Sequence, residues 1–124
     1  MGHNVRMARL KLTIVLASGA RIGPGKVKLL ESIRDSGSIS AAARDMNMSY
    51  KRAWLLLDSI NQAFETPAVI AATGGQRGGG ARLTDFGQEL LDRYRRMEAR
   101  AAAEFIDELR ALEDLARPTA GPKV

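Results

Sequence analysis

Residues 38–60 read SISAAARDMNMSYKRAWLLLDSI, and they carry the strongest fold signal in the chain. Small and apolar residues recur where two steeply crossing helices must touch: Ile39, Ala42, Ala43, Met46, Met48, Ala53 and Leu56. Asn47 falls between the two helical segments, where the chain needs a residue that tolerates a positive φ, and asparagine is the most permissive residue after glycine. Ser38 and Ser49 stand at natural N-cap positions. The pattern predicts a helix-turn-helix.

The second helix of this motif has two different faces, because successive residues are rotated by about 100° around a helix axis. Its inward, apolar face carries Ala53, Leu56, Leu57 and Ile60. Its outward face carries Lys51, Leu55, Asp58 and Gln62. Arg52 borders the outward face on one side, and Tyr50 and Trp54 border it on the other. An amphipathic helix pair without a ligand would show the same apolar spacing, so the rest of the chain has to decide between the two interpretations.

The charge of the chain is unevenly distributed. Residues 1–61 contain ten Lys/Arg against four Asp/Glu, whereas residues 62–124 contain nine against ten. A basic half attracts polyanions, which supports a nucleic-acid partner as a class, although ordinary solubilising charge gives the same count. The 124 residues suffice for one domain. The chain has no cysteine, which excludes disulfides and thiolate metal sites and fits a reducing cytoplasm.

The flanking segments predict a small β component. Apolar residues alternate over residues 10–16 and predict a strand, and a turn at Ser18-Gly19 leads into a short second strand over residues 20–22. Pro24 starts a first helix that Gly37 ends. Residues 68–73 and 81–83 predict a second hairpin, the wing, around a glycine-rich segment. The fold class is therefore mainly α: a winged helix-turn-helix with an N-terminal β-hairpin and a long C-terminal helix.

The last helix is predicted over residues 84–116. Its apolar stripe consists of Phe86, Leu90, Tyr94, Met97, Ala101, Phe105, Leu109 and Leu112. A helix of roughly 30 residues is about 45 Å long, more than one small domain covers. We expect a homodimer to bury the stripe; a frayed or bent tail on a monomer is the alternative. The domain thus spans residues 5–116, and residues 117–124 are expected to be a disordered tail. No apolar run is long enough to cross a membrane.

The sequence contains few candidate catalytic or cofactor-binding residues. The glycine-rich segment fails the spacing of both the P-loop and the dinucleotide fingerprint, and His3 is the only histidine. On the outward face, Lys51 and Arg52 are expected to contact phosphates or guanine edges, and Leu55 a thymine methyl. Tyr50 and Trp54 have an alternative as core residues packed against the wing and first helix. The predicted DNA-contacting residues are Ser38, Ser49, Tyr50, Lys51, Arg52, Leu55, Arg77 and Arg82.

Two motifs carry a family resemblance. GSISAAARDMNMSYKRAW over residues 37–54, followed by TGGQRGGGARLT over residues 73–84, resembles the DNA-binding domain of the molybdate-responsive ModE-type regulators. The pattern L-T-x-x-G-x-x-L over residues 83–90 is also similar to the LysR-type winged helix. The resemblance implies a dimeric transcription factor that places the third helix in the major groove of a palindromic operator. It also implies control of genes for molybdate uptake or molybdenum-cofactor use, often by repression.

The chain departs from the full-length ModE-type pattern by stopping where molybdate-binding domains would begin. No cofactor is therefore expected in this chain. Two alternatives stay open for regulation: a separate molybdate-binding protein as partner, or no effector at all. A protein-interaction or dimerisation module without direct operator binding is the competing function, because the C-terminal stripe alone would suit it.

Overall fold

The computed structural model describes residues 7–72 and 80–118. Two small antiparallel hairpins accompany a helical majority, as the sequence predicts. In chain order the elements are β1 (Ile14–Val15), β2 (Arg21–Ile22), α1 (Pro24–Ser36), α2 (Ile39–Asp45), α3 (Tyr50–Ala63), β3 (Val69–Ala72), β4 (Gly80–Leu83), α4 (Asp85–Glu104) and α5 (Ile106–Leu115). None of the helices in these two described stretches is both long enough and apolar enough to cross a membrane.

The predicted helix-turn-helix is confirmed in its local detail. Gly37 ends α1 with φ 71°, and the Ser38 hydroxyl accepts a hydrogen bond from the Ala41 N–H at 3.1 Å. Asn47 has φ 59°, so it makes the left-handed turn that the sequence assigns to it. The Ser49 hydroxyl then accepts from the Arg52 N–H at 3.0 Å and caps α3. Each cap satisfies a backbone donor that the first turn of a helix leaves without an intrahelical partner.

One hydrophobic core joins the three N-terminal helices to the wing and to α4. Ala42 and Ala43 are buried, which lets α2 approach its neighbours closely. The largest fully buried side chains are Tyr94, Ile22, Leu29, Leu30, Ile33, Ile60, Leu91 and Val27. Tyr94 crosses the core from α4, and its hydroxyl donates to the Leu12 carbonyl at 2.6 Å. Burial raises the pKa of Tyr94 above its usual value, so the neutral, donating form is favoured.

The wing pairs in register from Val69 opposite Leu83 to Ala72 opposite Gly80. Asn61 of α3 holds its first strand, because the amide donates to the Val69 carbonyl at 3.0 Å and accepts from the Ala68 N–H at 2.8 Å. The Thr84 hydroxyl caps α4 and also donates to the Pro67 carbonyl at 2.7 Å. The wing is thereby fixed to the helices on both of its sides.

The N-terminal hairpin is shorter than the alternation predicts. Only Ile14 and Val15 pair with Ile22 and Arg21, whereas the sequence predicts a strand from residue 10. Leu12 is half-buried against the core, and its carbonyl accepts from the Tyr94 hydroxyl rather than from a neighbouring strand. Packing against α4 therefore takes the place of strand pairing before residue 14.

The C-terminal helix is long but divided. The structure has the 20-residue α4 and the 10-residue α5, separated at Phe105, where the sequence predicts one helix over 84–116. The break lets α5 turn toward the N-terminal segment, where Leu109 is buried in a groove shared with Met7 and Leu10. Burying Leu109 in this groove favours the bend. In a straight helix, the three alanines at residues 101–103 would have little apolar surface to bury against another part of the protein.

Candidate nucleic-acid interface

Helix α3 presents the predicted outward face to solvent. Lys51 and Arg52 are exposed, and Leu55 is 51% exposed, whereas Ala53 and Leu57 are buried. Within residues 7–72 and 80–118, the cations that form ion pairs are Arg34, Arg93 and Arg95. Lys51 on the outward face and Arg52 at its border therefore have no carboxylate partner among the described residues, and both are available to an anionic ligand.

The two aromatic residues of α3 lie on the edge that faces the wing. Tyr50 is 50% exposed and Trp54 is 48% exposed. About half of each side chain is therefore packed against the protein, and the other half faces solvent. They line a groove between α3 and the wing, together with Ile70 and Ala71. The half-exposed ring of Trp54 therefore offers apolar surface to a ligand in this groove.

The two serines of the predicted site serve the fold first. Both hydroxyls accept a backbone hydrogen bond as N-caps, and a hydroxyl that accepts in this way keeps its own proton for donation. Ser49 is exposed at the start of α3, beside Tyr50. Ser38 is half-buried, and its backbone pairs with that of Gly80 in a single antiparallel β-bridge, so it lies where α2 meets the wing. Ser49 is the better placed of the two to reach a ligand at α3.

Of the two arginines predicted on the wing, Arg82 lies within the described residues. Arg82 is exposed on β4, opposite Ile70 of β3. It adds a positive charge on the wing beside the groove that Tyr50 and Trp54 line. Arg77 lies outside the described residues.

Several residues that position the interface were not singled out from the sequence. Asn61 holds β3 against α3 through its side-chain amide. In the sequence it is one polar residue of an amphipathic helix, and nothing in that pattern identifies its partner. Arg95 of α4 donates to both carboxylate oxygens of Glu31 on α1, at 2.9 and 2.6 Å, and also to Glu98 at 2.7 Å. These hydrogen bonds raise the pKa of Arg95 further above its usual value. Because the two helices are distant in sequence, periodicity could not have paired them.

Known proteins similar to this chain include molybdenum-related regulators. No family model matches it. It is 47% identical over 85 residues to the molybdenum-pterin-binding protein MopB of Rhodobacter capsulatus, covering 68% of this chain and 32% of that protein. It is 44% identical over 87 residues to the DNA-binding transcriptional dual regulator ModE of Escherichia coli (strain K12), covering 70% of this chain and 33% of that protein.

Among solved structures, the chain is similar to the CbnR DNA-binding domain in its crystal structure with DNA. The TM-score is 0.55 with 19% sequence identity, over 72% of this chain and 95% of that chain. At this identity the likeness shows a shared fold. The chain spans about a third of the length of the curated relatives it matches. Over the aligned part, the chain is a homologue of proteins named ModE transcriptional regulators, and its fold is a winged helix-turn-helix.

Proposed function

We propose that this protein is a sequence-specific DNA-binding transcriptional regulator that inserts α3 into the major groove. One observation carries the proposal: Lys51 and Arg52 are exposed and free of ion pairs with the described residues, on the outward face of the second helix of a helix-turn-helix. An α-helix fits the major groove, where base edges present a distinct pattern for each base pair. The similarity to ModE supports the same function.

The side chains around α3 suit different parts of a DNA duplex. Lys51 and Arg52 suit guanine edges or phosphates, and Leu55 suits a thymine methyl. Ser49 and Tyr50 bring hydroxyl donors to the phosphates near the start of α3. On the wing, Arg82 and Arg77 suit the backbone or a minor groove, which attracts arginine where it is narrow. Ser38 contributes mainly by fixing α2 against the wing.

The protein acts in this proposal as a homodimer on a palindromic operator. Beyond Tyr94, the C-terminal segment leaves apolar side chains in solvent, with Met97 and Phe105 about half exposed, Leu112 63% exposed and Leu115 81% exposed. A second copy would cover this surface, and two-fold symmetry would place two copies of α3 on successive half-sites.

The regulated genes in this proposal are those for molybdate uptake or molybdenum-cofactor use. The names of two relatives support this, since one is a molybdenum-pterin-binding protein and another a molybdenum transport protein. In this proposal the described residues read DNA, and molybdate acts through a separate molybdate-binding protein or the regulator works without an effector.

The test is selection of duplexes from a randomised library by the wild-type protein, followed by titration of the enriched duplex. Trp54 is the only tryptophan and lies on α3, half exposed in the groove toward the wing, so binding is expected to change its fluorescence. The double variant Lys51→Ala/Arg52→Ala should keep its melting temperature and lose about 1–3 kcal/mol of binding free energy for each base contact removed.

A protein-interaction module is the second candidate, and the exposed apolar residues after Tyr94 favour it. The two functions separate cleanly in the same experiment. Enrichment of a palindrome by the wild type supports the regulator. If no sequence is enriched, or if the Lys51→Ala/Arg52→Ala variant binds the enriched duplex as tightly as the wild type, then α3 does not read DNA.

A further inference from the structure

Helix α3 has a β-hairpin along each of its two edges. Tyr50 and Trp54 line the groove toward the wing. On the opposite edge, Arg52 and Leu56 line a second groove, which is closed by the N-terminal hairpin and the start of α1. The outward face that carries Lys51 and Leu55 lies between these two grooves. The resemblance to known winged helices accounts for the first hairpin and leaves the second without a role.

Three cations from three separate elements meet in this second groove. They are Arg21 of β2, Lys26 of α1 and Arg52 of α3, and we call their site the basic groove. The remaining residues that line it are uncharged, so no carboxylate neutralises the cluster from within the groove. None of the three forms an ion pair with any residue in the described ranges 7–72 and 80–118.

The fold holds these cations in place. The Lys26 ammonium donates to the Arg21 carbonyl at 2.8 Å, which ties α1 to the second strand of the hairpin. Gly23 joins the two elements, and a Cβ there would lie 3.0 Å from the Thr13 hydroxyl oxygen, so the hairpin sits closely against the start of α1. The positions of Arg21 and Lys26 relative to α3 are therefore set by packing.

A cluster of like charges without counter-ions is unfavourable in the free protein, because the cations repel one another. An anion bound in the groove would attract all three cations and offset their mutual repulsion. The chemistry favours a phosphate, since ammonium and guanidinium groups are the side chains that bind phosphate oxygens. Arg52 lines this groove and borders the outward face of α3, so an anion in the groove would lie next to a ligand of that face.

We propose that the basic groove binds a backbone phosphate of DNA on the side of the major groove opposite the wing, with Arg21 and Lys26 as its ligands. This inference rests on the proposed function. The major groove is about 12 Å wide and is bordered by one phosphate backbone on each side. With α3 inside it, the wing meets one backbone and the N-terminal hairpin with α1 meets the other. The hairpin thus acts as a second wing.

The experiment compares the wild type with the double variant Arg21→Gln/Lys26→Gln. Glutamine keeps a polar side chain and removes the charge. The matched control is Lys28→Gln, because Lys28 is exposed on the same helix but lines a different groove, which contains Glu31, Asp35 and Asp45. Dissociation constants are measured on the duplex enriched by the wild type and on a random-sequence duplex of equal length, from about 50 to about 200 mM NaCl.

The slope of log affinity against log salt concentration should become shallower by about 0.9 for every phosphate that the protein no longer binds. Each basic groove binds one phosphate and the proposed dimer carries two such grooves, so we expect a decrease of about 1.8 for the double variant. Affinity should fall by the same factor on both duplexes, because phosphate contacts do not read sequence. The melting temperature should change little, because the relief of charge repulsion opposes the loss of the hydrogen bond from the Lys26 ammonium to the Arg21 carbonyl. Lys28→Gln should leave the slope unchanged to within about 0.3.

Three outcomes overturn the inference. A salt slope for the double variant equal to that of Lys28→Gln removes Arg21 and Lys26 from the interface. A fall in melting temperature with an unchanged slope assigns them a structural role instead. Failure of the wild type to bind either duplex overturns the proposed function and this inference together, and it is distinguishable because no slope can then be measured for any variant.

Discussion

At the residue scale, backbone conformation at single positions decides whether the helix-turn-helix can form. Asn47 is the non-glycine residue with positive φ in the described part of the chain, at 59°. The Asn47 and Met48 N–H groups donate to the Arg44 and Ala43 carbonyls, so the turn that aims α3 depends on this one left-handed residue. Only glycine, asparagine and aspartate adopt this conformation at low cost.

Replacing Asn47 tests that dependence directly. Asn47→Val should lower the free energy of unfolding by about 1–2 kcal/mol, because a β-branched residue is strained in the left-handed region. Asn47→Gly should change it by less than about 0.5 kcal/mol, since glycine adopts this φ freely. Urea unfolding followed by circular dichroism measures both. Equal stability of the two variants would show that the turn is not constrained at this residue.

At the element scale, one close approach fixes α4 against the wing. Gly87 lies in the first turn of α4, and a Cβ there would come within 2.1 Å of the Ala68 carbonyl oxygen. The Thr84 N–H donates to that same carbonyl at 2.9 Å. The obstacle is backbone and cannot rotate away, so α4 would have to move off the wing. This contact explains the glycine of the L-T-x-x-G-x-x-L pattern.

Gly87→Ala is therefore expected to destabilise the protein, by about 2 kcal/mol or more, as overpacking does. Helix propensity alone predicts the opposite sign, a gain of about 1 kcal/mol for an exposed helical glycine. Gly25→Ala is the matched control, because Gly25 is also in a first helical turn and a Cβ there meets nothing within 4 Å. Thermal unfolding compares the two. A Gly87→Ala protein as stable as Gly25→Ala would contradict the close approach.

At the scale of the whole molecule, the C-terminal segment leaves the body of the protein near Arg95. The buried residues of α4 are Gly87, Leu90, Leu91 and Tyr94, and Arg95 then binds Glu31 of α1. Beyond this ion pair, Leu109 is the buried residue among those described, and several large apolar side chains are exposed. The ion pair is partly exposed, so it contributes about 1 kcal/mol or less to stability and serves mainly to orient α4.

Removing exposed apolar surface from this segment tests the proposed dimer. Met97→Glu/Leu112→Glu should shift the protein from dimer to monomer at micromolar concentration, because charges would be buried in the contact. Its fold should survive, since both side chains are already exposed. The control is Ala99→Glu, an added charge at an exposed small residue of α4. Sedimentation velocity measures the result, and a wild type that stays monomeric would contradict the dimer.

The elements whose signals are local could be predicted from the amino-acid sequence. The positive φ of Asn47, the two serine caps, the glycine stop after α1 and the two faces of α3 all follow from residue types at fixed spacing, and the structure confirms them. Interactions within a few residues of one another leave a readable pattern, because the backbone geometry of a helix or turn is the same in every protein.

Features that depend on residues far apart in the chain became visible in the folded protein. Tertiary packing shortened β1, divided the C-terminal helix at Phe105, left Trp54 half exposed and brought Arg21, Lys26 and Arg52 into one groove. In each case the outcome is set by which surfaces meet. Strand β1 starts late because packing on α4 replaces strand pairing before residue 14. The three cations cluster because three elements converge. Neither feature leaves a periodic pattern in the sequence of one segment.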